Sequence, residues 1–191
     1  AQGEGSKLMG ATNASNDLAY FGRLQWKNDG LTIGVDGGHQ SNNYIDDNDT
    51  KKADAGDTFF DVTAFTGYVN YKFEGLDLLG EYFSGDLGNQ GDVDGYTLRA
   101  AYKIGKFEPV VRYSHFEADT FEIDTDELIR RAPKTSIGEP GGELDSYYFG
   151  VNYYYNKAVS LMLGYEIADA ENSAGVEDEV DGVRARVQVL W

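Results

Sequence analysis

Arg184 and Arg186 lie one residue apart in a stretch that alternates without a break. Val183, Ala185, Val187, Val189 and Trp191 take one set of positions, and Arg184, Arg186 and Gln188 the other. In an extended chain, successive side chains point to opposite faces. Two guanidiniums therefore share a surface whose reverse is aliphatic. Cations on a wall of low dielectric are poorly screened and lower the barrier to anions. The same alternation, followed through the chain, puts Arg23, Gln25, Asp36, Asp77, Glu81, Arg99, Lys103, Glu108, Arg112 and Glu166 on the corresponding side. Arg99 is expected beside Glu81 across one strand pair and beside Arg112 across the next. The competing expectation is that each arginine pairs with an acid on a neighbouring strand and stiffens the wall. For any single arginine pairing is the expected fate, so it is the cluster that speaks for anions.

Nine alternating segments can position these groups: 17–27, 31–40, 59–72, 76–84, 95–104, 107–117, 145–155, 158–168 and 181–191. All but 59–72, which is longer, have about the nine to eleven residues that a tilted membrane strand needs. Short connections (Asn28-Asp29-Gly30, Glu74-Gly75, Gly105-Lys106 and Asn156-Lys157) alternate with long ones at 41–58, 85–94, 118–144 and 169–180. This is the rhythm of an antiparallel transmembrane β-barrel with tight turns at one end and larger loops at the other. A soluble antiparallel meander is the alternative. The lipid side is expected to carry Leu24 and Trp26, Leu98 and Tyr102, Phe149 and Tyr153, Leu161 and Leu163, with aromatics gathered at strand ends. The third segment is irregular, since Phe60 and Val62 fall opposite Phe65 and Val69, and a bulge near Thr63–Ala64 would reconcile them. Thr125 to Arg131 reads as one or two helical turns before Pro133.

Composition removes several classes. The 191-residue chain has no cysteine and a net charge of −17. That excludes disulfides and thiolate chemistry and disfavours nucleic acid as a partner. No apolar run is long enough for a membrane helix. No cofactor is implied. The only histidines, His39 and His115, fall on the lipid side and assemble no nucleophile–base arrangement with Ser114, which points the other way, so no enzyme is expected. The acids concentrate in the long connections. Asp46, Asp47, Asp49, Asp86, Asp92 and Asp94 are candidate divalent-cation ligands there, or simply solvated loop carboxylates. Counting back from a terminal strand that ends in the periplasm makes residues 1–16 extracellular. Nine strands then give an odd count, and the chain is expected to be the C-terminal segment of a longer single barrel. A tenth, weakly alternating strand at 5–11 in a small complete barrel is the alternative.

Phe107-Glu108-Pro109-Val110-Val111-Arg112-Tyr113-Ser114 resembles a strand of the phosphate- and pyrophosphate-selective porin family. Gly150 to Asn156, followed by Leu161 to Tyr165, is similar to that family's penultimate hairpin, and Arg186 to Trp191 to its closing strand, where Phe is more usual than Trp. Asp17 to Leu24 also fits a mid-barrel strand. The resemblance implies part of a 16-stranded, trimeric outer-membrane porin. It would sit in lipid and lipopolysaccharide, with Trp191 as the contact for the barrel assembly machinery. The expected function is passive diffusion of small hydrophilic, anionic solutes. An adhesin or receptor presenting long acidic loops is the alternative. The family's lysine-rich phosphate ladder is not matched here, so phosphate selectivity is not implied.

Overall fold

The computed structural model describes residues 19–40, 62–88, 91–119 and 141–190. Their strands are β1 (Ala19–Asn28), β2 (Leu31–Gln40), β3 (Val62–Phe73), β4 (Leu76–Asp86), β5 (Asp92–Tyr102), β6 (Phe107–Ala118), β7 (Gly142–Tyr154), β8 (Val159–Asn172) and β9 (Glu177–Val189). They form one antiparallel sheet in sequence order, with β1 and β9 at its two edges. No second layer and no helix is present among the described residues. Asp46, Asp47, Asp49, the candidate strand at 5–11, the helical turns at 125–131, Phe60 and Trp191 lie outside them.

The short turns follow from local chemistry. Asp29 and Gly30 both have positive φ (40° and 82°), as do Glu74 and Gly75 (45° and 92°). Two consecutive left-handed residues give the turn whose twist matches the flanking strands. The turns also abut the next strand. Lys72 N donates to Gly30 O at 2.9 Å and Lys103 N to Gly75 O at 2.9 Å. A Cβ on Gly30 would run into the Lys72 carbonyl. Each hairpin is thus staggered against its successor, as a tilted barrel strand requires.

Period-two alternation sorts the side chains into a polar and an apolar face. Leu24, Phe149, Leu163 and Val187 on the apolar face are 74%, 53%, 54% and 66% exposed. A continuous apolar surface of that kind is not stable in water and needs lipid or protein over it. Fully buried side chains, Glu166 and Ser146, belong to the polar face. In a single layer a side chain is buried only by neighbours on its own side, so the sheet curls around its polar face.

Three expectations are corrected. The β2–β3 register runs from Gln40↔Val62 to Leu31↔Tyr71 without a skipped residue, so there is no bulge near Thr63–Ala64. Val62 simply joins the polar face. The connections expected at 85–94 and 169–180 shrink to residues 87–91 and 173–176, because β4, β5, β8 and β9 are longer than their apolar stretches. Asn172 Oδ1 closes the second of these by accepting from Ala174 N (3.0 Å) and Val176 N (2.9 Å). Asp86, Asp92 and Asp94 are accordingly strand residues, with Asp86 directly opposite Asp92.

Aromatics of the polar face lie over glycines of the same face. The Tyr148 ring occupies the space a Cβ would need at both Gly150 and Gly164, and Phe83 does the same at Gly95. Gly164→Val should therefore displace Tyr148 and cost about 1–3 kcal/mol, measured as a lower urea midpoint for the folded protein in lipid vesicles. Gly22→Ala, where a Cβ meets nothing within 4 Å, should change that midpoint little.

Candidate functional site

The polar face is ordered in rungs of directly opposed residues. Leu79, Arg99, Arg112, Tyr148, Glu166 and Gly182 form the central one across β4 to β9. Asp77, Ala101, Val110, Gly150, Gly164 and Arg184 form the next toward the short turns. Every wall residue named from the sequence within these strands lies on this face, Arg23, Gln25, Asp36, Glu81, Glu108, Arg186 and Gln188 included.

Glu166 is the centre of the network. Its carboxylate is 0% exposed. Arg112 reaches over the Tyr148 ring, 5.3 Å from its centroid, and places Nη2 2.7 Å from Oε1. Ser146 Oγ donates to the same oxygen at 2.6 Å. Arg184 Nη2 lies 2.6 Å from Oε2, an ion pair by distance although not aligned as a hydrogen bond. A buried carboxylate is tolerable only with compensation of this kind. Two guanidiniums on one carboxylate leave the group with a surplus positive charge.

A second cluster surrounds Asp77. Arg99 Nη2 is 3.2 Å and Lys72 Nζ 3.3 Å from Oδ2, while Asn70 Nδ2 donates to Oδ1 at 2.6 Å. Arg99 does stand directly opposite Arg112, as the alternation implies. Its acid partner, however, is Asp77 and not Glu81. Both acids are diagonal to Arg99, but Asp77 is also held by Asn70 and Lys72, whereas Glu81 faces Thr97. Arg23 grips Asp36 with Nε (2.6 Å) and Nη2 (3.0 Å). Gln25 donates to Tyr68 Oη. Glu108 accepts from Asn152 (2.8 Å) and Tyr154 (3.0 Å). Lys103 Nζ sits 4.7 Å over the Tyr154 ring. Neither Arg186 nor Lys103 has an ion-pair partner among the described residues. Pairing is thus the fate of most single arginines, yet the pairs are unequal, with two bases to each of the central acids.

Alternation alone did not reveal Ser146, Tyr148 or Asn70, because their role depends on inter-strand register. It also missed that acids continue along the apolar face above the hydrophobic rows: Asp94, Glu117, Asp145, Asp169 and Glu179 all have that parity. Tyr113 Oη donates to Asp145 (2.5 Å), and His115 Nδ1 lies 3.0 Å from the same oxygen. Ser114 is on the other face, bonded to Thr97 at 3.1 Å. Among the described residues no three His, Asp or Glu side chains are arranged to hold a metal ion, so Asp86, Asp92 and Asp94 are not assembled into one.

A family model described as phosphate-selective porin O and P matches residues 41–191, well over half of the chain. Among solved structures, the fold is similar to OmpT (in-vitro folded), an outer membrane protein of Vibrio cholerae, with a TM-score of 0.58 at 14% identity. The match covers 88% of this chain and 54% of that one, so the chain spans about half of that structure's length. No curated protein matches.

The Glu166 cluster and the Arg23–Asp36 pair differ in burial and should differ in cost. Glu166→Gln leaves Arg112 and Arg184 without their counter-charge, and should destabilise the protein by about 2–3 kcal/mol, since both arginines are partly solvated. Asp36→Asn, at a pair whose arginine is 70% exposed, should cost under about 1 kcal/mol. Urea unfolding of both variants in the same vesicles compares them directly.

Proposed function

We propose a function from one established premise: the chain belongs to the phosphate-selective porin O and P family. Its place is the bacterial outer membrane, and its sheet is a wall segment of a β-barrel. The polar face lines the water-filled lumen and the apolar face meets lipid and the lipopolysaccharide leaflet. Association into the family's homotrimer would cover part of that apolar face.

The wall passes small hydrophilic anions by passive diffusion, without turnover. The observation that carries this reading is the unequal pairing on the polar face. Asp77 and Glu166 each neutralise one of two bases, and among the described residues Arg186 and Lys103 have no paired acid, against Glu81 and Glu108 with no paired base. Fixed cations on a low-dielectric wall attract anions at close range and are little screened there. The acids of the apolar face and of the connections act differently. Those of the apolar face lie behind the wall, and salt weakens the field of both groups, which reaches about 30 Å at 0.01 M but only about 3 Å at 1 M.

Anion preference should therefore be weak at low salt and clearer at high salt, as reversal potentials in planar bilayers at two ionic strengths would report. Replacing Arg99, Arg112, Arg184 and Arg186 together with Ala should move permeability toward cations. Arg186→Ala alone should give part of this shift while leaving the Glu166 cluster intact. Cation preference that persists at high salt would overturn the assignment of selectivity to this wall.

A further inference from the structure

Two rungs from the arginines, toward the long connections, the polar face turns apolar. Phe83, Gly95, Phe116, Leu144 and Ala170 stand directly opposite one another on β4 to β8. The Phe83 and Phe116 rings stack at 6.0 Å, 25° from parallel. Phe116 also packs on buried Leu144 and Ala170. No described residue covers this strip from the lumen side, because the described residues form one layer. Lipid cannot cover it either, since it shares a face with Arg99 and Arg112. Leu144 and Ala170 are buried, so the part of the strip open on that side is Phe83 and Phe116, both half-buried, and phenyl surface left in water costs free energy.

Phe116 is four residues along β6 from Arg112, about 13 Å at roughly 3.3 Å per residue. Both guanidiniums are held on carboxylates, Arg112 on Glu166 and Arg99 on Asp77, so the arginine rung is fixed in place. The rung between them is polar but uncharged: Thr97 and Ser114 bond to each other at 3.1 Å. Cation, hydroxyl and phenyl thus follow one another along the direction of transport.

We infer that this wall prefers carboxylates that carry an aromatic ring over equally charged small anions, the head group at the rung of Arg99 and Arg112 and the ring against Phe83 and Phe116. The inference rests on the reading of the polar face as a pore wall. Charge complementarity selects the occupant: a neutral apolar solute would leave the arginine rung unused, and a bare inorganic anion the phenylalanine rung.

The probes are 3-phenylpropionate and propionate, which carry the same charge. Each is titrated against the chloride current of the full-length protein in a planar bilayer, normalised to each protein's own conductance. Binding to the detergent-solubilised protein is followed separately by calorimetry. Phenylpropionate should half-block at about a tenfold lower concentration than propionate, the effect of burying part of a ring. Phe83→Ala should reduce that ratio, and Phe83→Ala with Phe116→Ala should bring it near one, with folding checked by circular dichroism. If the double variant does not fold, Phe83→Ala decides alone. Equal half-blocking concentrations in the wild type, or a ratio unchanged by Phe83→Ala, would overturn the inference while leaving the pore reading intact. Selective binding in calorimetry without chloride current would sink the pore reading and keep the site. Absence of both would sink the two together.

Discussion

A chain that crosses hydrocarbon must pair its backbone amides and carbonyls within itself, because lipid offers neither donor nor acceptor. Most other features of this structure follow from that constraint. It calls for strands in register, which imposes the period of two and gives every strand two unlike faces. It also sets the turns. Asp29-Gly30 and Glu74-Gly75 adopt left-handed conformations so that no strand end splays, and the Gly30 and Gly75 carbonyls are taken up by the neighbouring strand. A continuous ladder then runs from β1 to β9, and the side chains on each face are free to answer to different solvents.

Charge follows the same division. The overall charge of −17 would suggest a cation-attracting surface throughout. Register shows otherwise. Acids extend along the apolar face beyond its hydrophobic rows, as at Asp94, Asp145 and Asp181, some satisfied by tyrosine hydroxyls such as Tyr165 to Asp181 at 2.5 Å. On the polar face Asp77 and Glu166 each meet two bases, Asp36 meets one, and Glu81 and Glu108 meet none among the described residues. Glu166 has a structural task there, because a single buried carboxylate holds Arg112 and Arg184 from strands on either side of it. The surplus charge of the wall and its rigidity have one source.

Much of this is legible in the sequence. Alternation alone assigned the faces of Arg23, Arg99, Arg112, Arg184 and Arg186, because parity is a property of the strand and needs no partner. Strand ends were less legible. β8 and β9 continue through Asp169, Glu171, Glu177 and Glu179, where carboxylates resemble loop; the ladder continues there because water solvates those side chains while the backbone stays paired. Pairing partners were least legible. Whether Arg99 meets Asp77 or Glu81 depends on a diagonal choice decided by Asn70 and Lys72 on a third strand. Ser146 and Tyr148 enter the Glu166 cluster only through a register that a single sequence does not display.

Tyr148 shows what such packing means over longer times. Its ring fills the space above Gly150 and Gly164 and supports the Arg112 guanidinium. Three positions on two strands therefore behave as one heritable unit. A larger residue at either glycine is admissible only once the tyrosine has shrunk, and a shrunken tyrosine exposes bare backbone beneath a charged side chain. Descendants of this sequence can cross from one solution to another only by passing through a poorer protein, so the trio should change together or not at all as the rest of the wall drifts.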